Sequence, residues 1–230
     1  TVGIATVREG RVQPLPFRTD YFQYRTAAAR EIPANLGFAG FRLMYPLAGD
    51  GRPHQELGSF VGASYFRFLG RDNAYGLSAR GLAINTAEPQ PEEFPRFTEF
   101  WLEQPARDAK SMNVYALLDS ASVTGAYRFT ITPGPATVLH VKATVFVRQA
   151  VKVFGLAPLT SMYWHGENSQ MPARDFRPEV HDSDGLLLHT GAGEWIWRPL
   201  VNTAGLRVSS FADENPKAFG LLQRDRNFEN

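Results

Sequence analysis

The chain contains no cysteine. Disulfides, thiolate nucleophiles and cysteine-ligated zinc are therefore excluded, and both cytoplasm and periplasm remain compatible with that. It also lacks an excess of either charge. In 230 residues, 24 Lys and Arg stand against 23 Asp and Glu, so no global field favours nucleic acid or anionic lipid. No basic run marks a phosphate-binding patch. The apolar stretches fall well short of the roughly 20 residues that a membrane-spanning helix needs. The opening TVGIATVREG alternates like a strand and does not read as a signal peptide. Helical periodicity is scarce, and residues 26–32 (TAAAREI), just before Pro33, suit a turn or two of helix.

Common catalytic signatures are missing too. No Gly-x-Gly-x-x-Gly follows a strand, and neither a P-loop lysine nor His-Glu-x-x-His occurs. Ser64 and Ser78 lack the Gly-x-Ser-x-Gly setting of a hydrolase nucleophile. The histidines, at 54, 140, 165, 181 and 189, are scattered. His181 and His189 flank a Gly turn and could meet on a hairpin, but such sheet pairs more commonly hydrogen-bond than hold zinc. No metal and no cofactor is expected.

What is present is strand after strand. Residues 137–148 (TVLHVKATVFVR) alternate most cleanly: Leu139, Val141, Ala143, Val145 and Val147 share one face, and His140, Lys142, Thr144 and Arg148 the other. Residues 96–103 (RFTEFWLE), 113–119 (NVYALLD) and 126–132 (AYRFTIT) are further strands. Clusters of turn formers separate them: QPARDAKSMN, SASVTG and TPGPA. Upstream, residues 37–47 and 59–69 read as two strands of one sheet, with 48–57 as a turn-rich link. Phe17, Tyr21 and Phe22 are expected to pack in the sandwich. With no repeat and no linker visible, the fold class is all-β: one large antiparallel sandwich domain over residues 1–230.

Residues 176–200 (FRPEVHDSDGLLLHTGAGEWIWRPL) concentrate the chemistry. His181-Asp182-Ser183-Asp184-Gly185 is a polar turn that can present a carboxylate. Trp195 and Trp197 fall on one face of a strand. An indole wall beside carboxylates and arginines suits a sugar, whose ring face is apolar and whose edge is hydroxylated. Core packing of both tryptophans is the competing reading. Glu194 is placed to bond a sugar hydroxyl or to pair with Arg198. Tyr65 and Arg67 alternate on one strand, as do Tyr163 and His165, and could line a groove. Arg80, set among small residues, is expected to contact sugar hydroxyls or to hold Asp182. Glu92, Glu93 and Glu99, near a strand entry, read as solvated charge.

Several long motifs occur in one order: LGFAGFRLMYPL, VGASYFRFLG, AYGLSARGLAINTA, EEFPRFTEFWLEQP, YALLDSASVTGAYRF, GLAPLTSMYW, FRPEVHDSDGL, GEWIWRPL and SSFADENPKAFGLLQRDRNF. Together they resemble the periplasmic glucans biosynthesis proteins G and D, from about Leu36 onward. The resemblance implies a galactose-mutarotase-like β-sandwich, a periplasmic location in a Gram-negative bacterium, and a role in making osmoregulated periplasmic glucans with a β-1,2-linked backbone. It also implies inverting endo-hydrolysis of β-1,2-glucan.

In that family the carboxylate on the base side lies in the His-Asp-Ser turn, which here makes Asp182 the expected catalytic residue. His181, Glu194, Trp195, Trp197, Arg198, Arg80 and Tyr65 are expected to contact glucan. The family's general acid lies in an Asp-Asn-Ile-Val-like segment that this sequence does not contain. The chain is therefore expected to be the central part of the sandwich, without the immunoglobulin-like domain and without hydrolytic activity by itself. The expected partners are β-1,2-glucan and either the remaining segments of the same protein or the glucan-synthesis machinery, with no nucleic acid. Two alternatives stay open: a non-catalytic scaffold that guides backbone branching, and, by fold analogy alone, a mutarotase-like epimerase.

Overall fold

The computed structural model describes residues 1–22, 33, 35–49, 51–167, 169–170 and 174–223. The possible helical turn at 26–32 lies outside them. The described elements are strands β1 (Gly3–Arg8), β2 (Arg11–Pro14), β3 (Gly40–Tyr45), β4 (Gln55–Val61), β5 (Tyr65–Phe68), β6 (Ser78–Arg80), β7 (Leu82–Ile84), β8 (Arg96–Glu103), β9 (Met112–Asp119), β10 (Val123–Thr132), β11 (Val138–Val147), β12 (Phe154–Leu156), β13 (Leu159–Thr160), β14 (Tyr163–His165), β15 (Val180–His181), β16 (Gly185–His189), β17 (Trp195–Pro199) and β18 (Ala218–Leu222), with one 3-10 turn at Thr19–Tyr21. The chain divides into two compact units, Thr1–Asn73 with Arg80–Pro158, and Ala74–Ala79 with Leu159–Asn230.

The first unit is a β-sandwich. One layer is a six-stranded sheet in the order β11-β10-β9-β8-β1-β2, antiparallel except where β1 runs parallel to β8. The other contains the antiparallel run β3-β4-β5. Period-2 alternation explains the packing. In β10, Val123, Gly125, Tyr127, Phe129 and Ile131 point inward, and Ala126 and Arg128 point out. Phe60 of β4 meets Phe129 of β10 at 5.0 Å between ring centres, and Phe41 of β3 meets Phe100 of β8 edge-on at 5.0 Å. Such tilted aromatic pairs add to the stabilisation from area burial alone. The buried phenol of Tyr127 donates to Gly81 O at 2.9 Å, and burial pushes its pKa up to about 12.

Turn chemistry sets the registers. Glu9 and Gly10 both have positive φ, 50° and 75°, the backbone that a two-residue hairpin needs between β1 and β2. At Gly62 φ is 82°, and the chain reverses there. Residues 59–69 are therefore not one strand: β4 ends at Val61 and β5 begins at Tyr65. The expected link also shortens, since β4 begins at Gln55. A second correction concerns β11. Only Leu139 and Val145 of its apolar face pack against the core, while Val141 and Val147 are exposed. The strand lies at the edge of the described sheet, with a neighbour on one side. Phe17, Phe22 and Phe38 make a small ring cluster of their own, with Phe17 and Phe38 centres 5.3 Å apart, and Tyr21 and Phe22 stay exposed.

The second unit is built from shorter antiparallel pairings. Leu159 and Thr160 pair with Ala79 and Ser78, β14 pairs with β15, and β16 lies between β17 and β18.

Candidate functional site

In the second unit the His-Asp-Ser-Asp-Gly turn joins β15 to β16. Ser183 is completely buried and shares a hydrogen bond of 2.6 Å with Ser161, which pins the centre of the turn. Asp182 is tied to Met162 twice. Its backbone N–H donates to Met162 O at 2.8 Å, and its Oδ2 accepts from Met162 N–H at 3.0 Å. Gln223 Nε2 donates to the Asp182 carbonyl at 3.2 Å. The carboxylate is thus held in one orientation by a backbone donor. Among the described residues no donor reaches its Oδ1.

His181 stacks on Tyr163 at 5.4 Å and 18°. Its Nε2 lies 2.9 Å from Glu179 Oε2 and 3.4 Å from Asp184 Oδ1. Spacing had pointed to His189 as its neighbour, but β16 and β17 give His189 to Trp195, stacked at 4.1 Å and 8°. Glu179, His181 and Asp184 offer one ligand atom each within 4.8 Å of one another. An ionised Glu179 only accepts, so its short contact is a hydrogen bond when Nε2 carries the proton, and among the described residues Nδ1 is buried without a partner.

The tryptophans separate. Trp197 is half-buried and lies over Gly185, where an added Cβ would come within 2.7 Å of its ring. Trp195 is 60% exposed. Glu194 and Arg198 are exposed as well. Arg198 covers the ring of Phe211 at 5.2 Å, and the Glu194 backbone N–H donates to the Thr190 hydroxyl at 2.9 Å. His165 is buried, 3.1 Å from Arg177 O, which removes it from the groove expected for the 163/165 pair.

In the first unit Arg80 and Tyr65 come together. Arg80 is 7% exposed, and its guanidinium lies over the rings of Tyr65 at 5.4 Å and Phe94 at 4.9 Å. Nη1 donates to Glu92 Oε1 at 2.7 Å, and the Thr86 hydroxyl donates to the same oxygen at 2.8 Å. Among the described residues Nε and Nη2 are buried without a partner, a condition that costs about 1–3 kcal/mol per group in a folded protein.

Glu92 is therefore an ion-pair partner and not the solvated charge expected of it. Glu93 departs from expectation in the same way. Its carboxylate accepts from Ser122 N–H at 2.8 Å and from the Ser122 hydroxyl at 2.6 Å, clamping the turn between β9 and β10. Burial alone would raise the Glu93 pKa, but hydrogen bonds from Ser120 and Ser122 outweigh it and hold the group below its ordinary value. Glu99 is exposed, as expected. No local pattern announces the Arg80–Glu92 pair, because its members lie 12 residues apart on different segments.

The whole chain, residues 1–230, matches the family model described as "Periplasmic glucan biosynthesis protein, MdoG". The chain belongs to this family. It is 50% identical over 230 residues to the probable glucans biosynthesis protein D of Shewanella oneidensis, covering 99% of this chain and 42% of that protein. It is 59% identical over 194 residues to glucans biosynthesis protein G of Ralstonia nicotianae, covering 84% of this chain and 38% of that protein. Protein G of Pseudomonas paraeruginosa is 51% identical over 228 residues, covering 99% and 43%. The chain thus spans about two fifths of the length of these curated relatives. Among the described residues no helix is long and apolar enough to cross a membrane, and the family description is of a periplasmic protein.

Proposed function

We propose that this member of the family contacts the β-1,2-linked backbone of a periplasmic glucan, and that in a protein of its relatives' length it contributes Asp182 to inverting endo-hydrolysis. The observation that carries this reading is the Asp182 carboxylate, oriented through Oδ2 by the Met162 N–H. In an inverting reaction the base-side carboxylate draws a proton from water that attacks the anomeric carbon opposite the departing oxygen. Asp182 would do so directly or through a hydrogen-bonded chain. A separate carboxylic acid protonates the leaving oxygen, and the resemblance assigns that acid to a segment this sequence does not contain. Trp195, exposed and stacked on His189, supports sugar contact. So do Glu194, Arg198 and His181 along the same unit.

The alternative is a glucan-binding scaffold without chemistry, and the exposed indoles of Trp164 and Trp195 support binding in either case. Asp182→Asn separates the two in the protein of full relative length, assayed on linear β-1,2-glucan. Hydrolysis predicts cleavage lowered about 10²–10⁴-fold with binding kept. Wild-type protein that binds the glucan without cutting it points to the scaffold.

A further inference from the structure

The turn between β15 and β16 gathers three side chains of the kinds that bind metal ions. Glu179 and His181 stand on either side of Val180 at β15, and their side chains meet. The turn then brings Asp184 back to the same imidazole. His181 Nε2 lies 2.9 Å from Glu179 Oε2 and 3.4 Å from Asp184 Oδ1, and one ligand atom of each residue falls within 4.8 Å of the others. At zinc–ligand lengths of about 2.0–2.2 Å, those two separations subtend about 90° and about 110° at a common ion, angles that a four- or five-coordinate site accommodates.

A single proton serves this arrangement poorly. The Nε2 hydrogen bonds Glu179 and leaves the 3.4 Å contact to Asp184 beyond ordinary hydrogen-bond length. Even an imidazolium sets one positive charge against two carboxylates. A divalent cation balances both and takes all three groups as ligands. Imidazole among carboxylates suits zinc-class ions better than calcium or magnesium, which take oxygen ligands. Nδ1 has no partner among the described residues whether or not it carries the ring proton, so it does not choose between the two arrangements. The cluster is also open to an ion. The side chains of Glu179 and Asp184 are 31% and 25% exposed, whereas that of His181, stacked on Tyr163, is 9% exposed. Gly166 leaves the flank of the imidazole uncrowded, since a Cβ there would stand 3.4 Å from Nε2 and 3.2 Å from Cδ2.

We propose that Glu179, His181 and Asp184 bind one divalent ion of the zinc class, which ties together the two ends of the turn that carries Asp182. The ion enters from the exposed carboxylate side onto a nitrogen held in place by the Tyr163 stack. The site does not depend on the glucan reading, because a tied turn serves a hydrolase and a scaffold alike.

The test is calorimetric titration of the chelator-stripped 230-residue chain with zinc chloride, in wild type, Glu179→Gln, Asp184→Asn and His140→Ala, with thermal melts as a folding check. The first two changes keep side-chain shape and remove a charged ligand. His140 is an exposed histidine on β11 and serves as the control. The expected result is one equivalent bound by the wild type, with affinity lowered at least about tenfold by Glu179→Gln and by Asp184→Asn and unchanged by His140→Ala. Zinc should also raise the melting temperature of the wild type, a readout that needs no variant. A wild-type chain that neither binds zinc nor melts higher with it overturns the site. So does affinity that both carboxamide variants retain, or that His140→Ala lowers as much as they do, since the ion is then held elsewhere. Calcium or magnesium that displaces zinc at equal concentration overturns the zinc-class assignment.

Discussion

The two compact units are held by different forces. Among the described residues the buried apolar side chains, Phe60, Phe97, Phe129 and Ile131 among them, all belong to the first unit. The fully buried side chains of the second are polar, His165 and Ser183. Apolar burial is strong and non-directional, which makes a stable frame. Hydrogen bonds contribute less net stability each but fix direction. The second unit uses them that way: Ser161 on Ser183 and Met162 on Asp182 aim one carboxylate. Large apolar groups there remain exposed, with Trp195 at 60% and Phe176 at 95%.

The largest test of this contrast is Phe60→Ala against Phe176→Ala. Phe60 touches rings from β3, β5, β8 and β10. Its truncation is expected to cost about 3–5 kcal/mol in urea unfolding. The same change at Phe176 should stay within about 0.5 kcal/mol. Equal costs would abolish the distinction between a core-held and a hydrogen-bond-held unit.

A middle-sized effect is expected at Glu93, the polar clamp inside the apolar unit. Removing its charge with Glu93→Gln weakens the bonds from Ser122 and should cost about 1–3 kcal/mol near neutral pH. The sign with pH follows from its lowered pKa. A carboxyl held below its ordinary 4.5 contributes stability above that value and loses it as pH falls through the lowered folded value. The wild-type advantage over Glu93→Gln should therefore be full at neutral pH and shrink below about 4.5. An advantage that persists unchanged in acid would remove Glu93 as the clamp.

The smallest stability effect is expected at Trp195, within about 0.5 kcal/mol for Trp195→Ala, because its ring is exposed. Glucan affinity should fall in the same variant, since a stacked aromatic contributes contact without supporting the core. Affinity that survives the change would take Trp195 out of the site.

Much of this was legible in the residues. Strand alternation announced β8, β9 and β10, because side chains on a pleated strand repeat every two residues whatever the strand pairs with. The ordered motifs announced the family. The polar turn at 181–185 and the two tryptophans stood out because turn chemistry and alternation are local, whereas the choice of Asp182 within that turn came from the resemblance. Where conformation hangs on a single backbone angle, the reading failed: φ at Gly62 broke one expected strand into β4 and β5. It failed again at β11, whose clean alternation records two faces but not how much of either is covered.

By itself, then, the sequence determined an all-β chain of this family and which short segments carry polar chemistry, because those properties are set by neighbours along the chain. Only the tertiary structure decided that Arg80 meets Glu92, Tyr65 and Phe94, that Glu93 clamps a distant hairpin, and that Trp195 faces solvent while Trp197 covers Gly185. Those pairings join residues far apart in sequence or depend on how far along a sheet face the cover extends, and no local pattern encodes either.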